Sequence, residues 1–169
     1  MVKMLLNAAL FQVAWFAAIL GAGGGKAWLG PLVLVPVLTI NLVMASDRRG
    51  ELKLWAAAGI IGFLFDTALV AAGEFAPRRH LFPYPFSPPW MVGLWIGFAA
   101  TLNQSLGWLH ARPLLAAMFG AVGGPLAYYG GARLGATVAI PGVEEVMILS
   151  IGWGVMTPLL FKLAKSLRS

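Results

Sequence analysis

Cysteine is absent from the 169-residue chain. That excludes a disulfide framework, a thiolate nucleophile and any Cys-based metal site. Charged residues are scarce, at 11% of the total, and only six are acidic. Histidine occurs twice, at His80 and His110, far apart and in no metal-binding spacing, so each reads as an interfacial or loop residue. No histidine cluster for a di-iron desaturase, aspartate-rich prenyl-diphosphate motif or nucleophile motif is present, and neither metal nor cofactor is expected. What fills the chain instead is apolar: 60% of residues are hydrophobic, with a mean hydropathy of +0.83. A soluble domain of this length could not hide that much apolar surface in one core, so lipid is the natural solvent. The net charge of +6 forms no basic stripe, so nucleic acid is not an expected partner.

Apolar runs separated by short charged or Gly/Pro-rich breaks predict a polytopic all-α bundle of about six transmembrane spans. Each is close to the ~20 residues a bilayer requires. The runs are 4–22, 28–45, 54–72, 90–108, 114–131 and 143–163, within one integral membrane domain. The breaks are "GAGGGK", "SDRRGELK", "GEFAPRRHLFPYPFSPP", "HARP" and "ARLGATVAIPG". Small residues after the first run resemble a signal-peptide cleavage site, but Asn7 and Gln12 inside that run argue against cleavage. Lys3, Arg48, Arg49, Lys53, Arg112, Lys162, Lys165 and Arg168 fall on one side, and Lys26, Arg78, Arg79 and Arg133 on the other. Eight against four places both termini in the cytoplasm. Trp28 and Trp90 then mark the outer interface, and Trp55 and Trp108 the inner one.

One carboxylate interrupts the third run, in "GIIGFLFDTALVAAGE". A charge at that depth costs several kcal/mol unless protonated, hydrated or paired. Gly59, Gly62, Asp66, Leu69 and Gly73 recur at helical spacing, so Asp66 faces a neighbouring helix or a cavity, with Tyr128 or Arg133 as a candidate partner. A second small-residue seam, Ala117, Gly120, Gly124, Ala127 and Gly131, predicts that the third and fifth spans touch through these stripes. Trp15, Pro36, Trp95, Tyr128 and Trp153 share the level of Asp66. Proline kinks at Pro36, Pro125 and Pro158 free backbone carbonyls nearby. Trp15, Trp95, Tyr128 and Trp153 are therefore candidate pocket residues around Asp66, the one candidate catalytic group; packing alone is the plainer reading. Asn7, Asn41, Asn103 and Gln104 form a second polar layer, read as interhelical glue or as a polar path. Glu144 and Glu145 in "PGVEEV" suit a helix start; paired acids for cation binding or acid/base work are the sharper alternative. The loop "LFPYPFSPPW" reads as an interfacial anchor or a lid.

The blocks "LNAALFQVAWFAAILGA", "SDRRGEL", "GFLFDTAL", "PPWMVGLWIGFAATLNQSLGWL" and "GAVGGPLAYYGGARLGA" resemble a bacterial family of small six-span inner-membrane proteins catalogued only as a domain of unknown function. The resemblance runs over nearly the whole chain. It marks Asp66, Trp90, Trp95, Asn103, Trp108, Gly124, Pro125, Tyr128 and Gly131 as the family's recognisable positions, implies an inner-membrane location and brings no activity. Three functions stay open. The first is a scaffold, binding or accessory component of membrane-lipid metabolism, with membrane lipids and a membrane-protein partner or second copy as partners. The second is a lipid- or isoprenoid-modifying enzyme using Asp66 as acid or cation-stabilising group. The third is a small proton-coupled transporter or lipid translocator, for which no inverted repeat is visible.

Overall fold

The structure is a computed structural model that describes residues 1–78 and 81–168. His80 and Arg79, which the sequence places in a loop, lie outside the described residues. Among the described residues six α-helices follow one another: α1 (Val2–Gly23), α2 (Leu29–Met44), α3 (Arg48–Ala71), α4 (Pro89–Leu102), α5 (Pro113–Arg133) and α6 (Val143–Ser166). A single 3-10 turn at Gly107–Leu109 lies between α4 and α5. Among the described residues the β-type pairing is limited to one isolated bridge, Pro77 to Thr137. Of the helices, α1, α3 and α6 are long and apolar enough to cross a membrane, and α2 and α4 are shorter apolar helices.

Local chemistry sets the helix ends. The Asp47 carboxylate accepts from the Gly50 N–H at 2.9 Å and caps the start of α3. Pro89 and Pro113 stand in the first turns of α4 and α5, where a missing N–H costs nothing. At α6, Glu144 and Glu145 lie in the first turn against the macrodipole, as the helix-start reading has it. The far ends of α3 and α5 close alike. Gly73 and Gly135 adopt φ of +81° and +86°, which lets Glu74 N–H reach Leu69 O and Ala136 N–H reach Gly131 O.

The most buried helix is α4: Trp90, Met91, Gly93, Trp95 and every residue from Gly97 to Leu102 are buried. It packs against α1, α2 and α3, while α5 and α6 form a tight hairpin that leans on α3 and α4 through α6. Large apolar side chains point outward instead of being hidden, among them Leu20, Leu32, Ile60, Leu64, Val122 and Ile151. That inside-out pattern is what a lipid solvent permits.

The structure corrects two expectations. The fourth run is helical only to Leu102, not to Trp108, because Asn103 to Arg112 turn back under the bundle. At 14 residues α4 is about 21 Å long. The glycine seams of α3 and α5 do not meet each other either. Gly59 and Gly62 lie against Ile96 and Trp95 of α4, whereas Gly120 and Gly124 lie against Thr157 and Trp153 of α6. Each seam admits a bulky side chain from the helix next in sequence, and Gly131 faces Ile19 of α1.

Candidate functional site

Asp66 is 1% exposed and is gripped from two helices. The Trp95 indole N–H of α4 donates to Oδ2 at 3.0 Å, and the Tyr128 hydroxyl of α5 donates to Oδ1. Gly62 makes the first bond possible: a Cβ there would overlap the Trp95 ring. Trp95 in turn stacks on Trp153 of α6, with centroids 4.2 Å apart and an interplanar angle of 14°. Gly124 leaves the space for Trp153 as Gly62 does for Trp95. Asp66, Trp95, Tyr128 and Trp153, read from sequence as one level, are thus one constellation; Arg133 is not the partner, Tyr128 is. Pro36 is exposed on α2, which does not line the site.

This constellation walls a cavity of about 390 Å³, within the usual range of roughly 300–1,000 Å³ for small-molecule sites. Trp15, Phe75, Phe98 and Phe119 supply further aromatic wall. Its shape follows from the packing. Helices α1 and α5 meet at one end of the bundle, where Ile19 abuts Gly131 and Gly23 abuts Leu134. Away from that end no tight packing joins them, and Phe11, Gln12 and Trp15 face Phe119, Gly123 and Ala127 across a cleft. The cleft is lateral, between two helix flanks.

The end where α1 and α5 meet is closed by a clasp. Arg78 N–H donates to Ala136 O and Val138 N–H donates to Ala76 O, both at 2.9 Å, around the Pro77–Thr137 bridge. The Arg78 guanidinium adds bonds to Gly135 O and Thr137 O. Phe75, Ala136 and Thr137 under this clasp line the cavity, so the α3–α4 and α5–α6 loops roof it together. The "LFPYPFSPPW" loop instead keeps Leu81, Phe82, Tyr84 and Phe86 exposed and contributes to the wall only through Trp90.

The amide layer resolves into two networks. Asn7 Nδ2 donates to Asn41 Oδ1 at 2.7 Å and to Ala100 O at 3.0 Å, and Asn7 Oδ1 accepts from the Ser105 N–H. Gln104 Nε2 reaches Asn41 Oδ1 at 3.3 Å. These bonds satisfy backbone groups where α4 stops short, at Ala100 O and Ser105 N–H. Asn103 belongs elsewhere. Its Nδ2 donates to Glu51 Oε1 at 2.9 Å, while its Oδ1 accepts from Arg168 and faces His110 Nε2. Sequence reasoning missed Glu51, His110 and Arg168 as a group, since they come from α3, a turn and the tail with no shared spacing. The partial burial of His110, and then the Arg168 charge beside it, hold its pKa below the ordinary value. Among the described residues no group of three or more His, Cys, Asp and Glu is placed to hold a metal ion.

An all-helical chain with membrane-length apolar helices, an outward apolar belt and a side-opening cavity around one carboxyl defines a class: a membrane-type helical bundle with an internal site. The chain belongs to the family described as "Protein of unknown function (DUF2878)", whose model matches residues 4–159. No curated protein and no solved structure matches it.

Proposed function

We propose that this is an integral inner-membrane protein of six spans with both termini cytoplasmic, acting as a binding or accessory component of membrane-lipid metabolism. The observation that carries the reading is the cavity's access: roofed by the loop clasp at one end and flanked by the parting of α1 and α5. A ligand that enters between two lipid-facing helix flanks comes from the bilayer. Apolar walls with a few convergent polar groups then suit an amphipath, its chain against the aromatics and its head toward Asp66 and Tyr128.

Photo-labelling in lipid nanodiscs tests this. A long-chain probe with a diazirine near its head should label peptides from Phe11 to Trp15 and from Phe119 to Tyr128 above the level on other lipid-facing helices. Gly123→Trp should suppress that labelling, since a Cβ at Gly123 meets nothing within 4 Å and the indole starts from open space in the cleft. Uniform labelling of all lipid-facing surfaces, unchanged by Gly123→Trp, overturns the reading. In cells, deletion should shift one lipid class, restored by the native chain and not by Asp66→Asn at equal abundance.

A further inference from the structure

We infer that the ligand's head is an organic cation, an amine or quaternary ammonium carried on an apolar chain; this rests on the lipid-cavity reading above. Three observations converge. Asp66 is the one formally charged residue on the described cavity wall: no Lys, Arg, His or Glu lines it. Both hydrogen bonds to the carboxyl come from neutral donors, an indole and a phenol, so its charge has no counter-ion there. The surrounding wall is aromatic, with Trp15, Phe75, Trp95, Tyr128 and Trp153 among it.

Each fact excludes a class of ligand. A phosphate or carboxylate head would bring a second negative charge beside Asp66, in a low-dielectric wall with no basic residue to offset it. A purely apolar guest would leave the carboxyl needing a proton for neutrality. An ammonium head supplies the missing charge, and aromatic faces attract it through their quadrupoles. Indole rings are the strongest of these platforms, and Trp15 and Trp90 line the same cavity outside the Trp95–Trp153 stack. The route in has its own polar step, because Gln12 stands exposed on the α1 flank of the cleft.

Cation and proton compete for the same carboxyl, so binding of a permanent cation strengthens as pH rises. Tyr128 is the other titratable side chain on the described wall, and its hydroxyl remains a donor to Asp66 throughout.

The test uses the full chain in nanodiscs of zwitterionic lipid and three diazirine probes with one decyl chain, bearing trimethylammonium, hydroxyl or sulfonate heads. Labelling of cavity peptides is normalised to labelling of the outward α2 surface, which removes differences in partitioning. The ammonium probe should label the cavity about tenfold more than the alcohol, and the sulfonate least. Asp66→Asn should erase the ammonium preference and leave the alcohol's labelling intact. On the native chain, ammonium labelling should fall as pH is lowered while alcohol labelling stays level, a readout that does not depend on the variant folding. Equal ammonium and alcohol labelling overturns the cation inference and leaves the cavity reading standing. A preference for sulfonate overturns it as well. Absence of cavity labelling by all three probes overturns both.

Discussion

Gly62→Ala is the sharpest test of how the site is built. The new methyl overlaps three atoms of the Trp95 ring, Cγ, Cδ1 and Cδ2. Trp95 is 2% exposed and is held by Asp66, by the Trp153 stack and by Phe65 edge-on at 5.7 Å, so the ring cannot shift without giving up one of these contacts. Overpacking of this kind costs about 1–3 kcal/mol. Displacing the indole leaves its N–H or the carboxyl without its bond, about 1–3 kcal/mol more. Replacing glycine within a helix returns about 1 kcal/mol. The net expectation is a loss of about 1–5 kcal/mol. Reversible unfolding in mixed micelles at rising SDS fraction, followed by tryptophan fluorescence, measures it. Two variants serve as references. Gly59→Ala meets the Ile96 side chain at 3.2 Å and Val92 at 3.7 Å and should be near neutral; Gly123→Ala meets nothing within 4 Å and should gain up to about 1 kcal/mol. If Gly62→Ala unfolds with Gly123→Ala, the claim that glycine seats Trp95 against Asp66 is wrong.

The same unfolding assay checks three further expectations. Tyr128→Phe removes one donor from Asp66 and should cost about 1–3 kcal/mol, whereas Tyr129→Phe, on the exposed side of α5, should cost nothing measurable. Asn7→Leu breaks three bonds at the foot of α4 and should cost about 1–3 kcal/mol, more than the same change at the exposed Gln12. Because the folded state holds the pKa of His110 below its usual 6.5, the unfolded chain takes the proton first. The stability tied to that histidine is present above about pH 6.5 and is lost as pH falls below it; His110→Gln should flatten this part of the pH profile.

Much of the fold was legible because lipid-length apolar runs and the turn chemistry between them are local signals. The inward orientation of Asp66 was legible for the same reason: glycines at helical spacing mark the face on which it lies. Which helix fills a glycine seam is not a local property. Gly62 and Gly124 announce that something large approaches, but only the fold says that Trp95 and Trp153 do so, each from the adjacent helix. The stop at Leu102 was hidden because "TLNQSLGWL" stays apolar enough to read as span. Its polar residues were visible, yet Gln104 pairs with Asn41 and Ser105 with Asn7, 63 and 98 residues away. The Glu51–Asn103–His110–Arg168 group was illegible since four separate segments supply it.

The order in which these helices leave the ribosome gives the Asp66–Tyr128 bond a further meaning. Helices α1 to α4 contact one another and precede the α5–α6 hairpin in the chain, so a four-helix intermediate can form first. Until Tyr128 emerges, that intermediate carries an aspartate with half of its donors, beside a Trp95 that has no Trp153 to stack on. Arrival of the last hairpin satisfies the carboxyl, completes the stack and closes the clasp together. A chain that lacks its final hairpin therefore leaves Asp66 with one of its two donors unmade and Trp95 without its stacking partner.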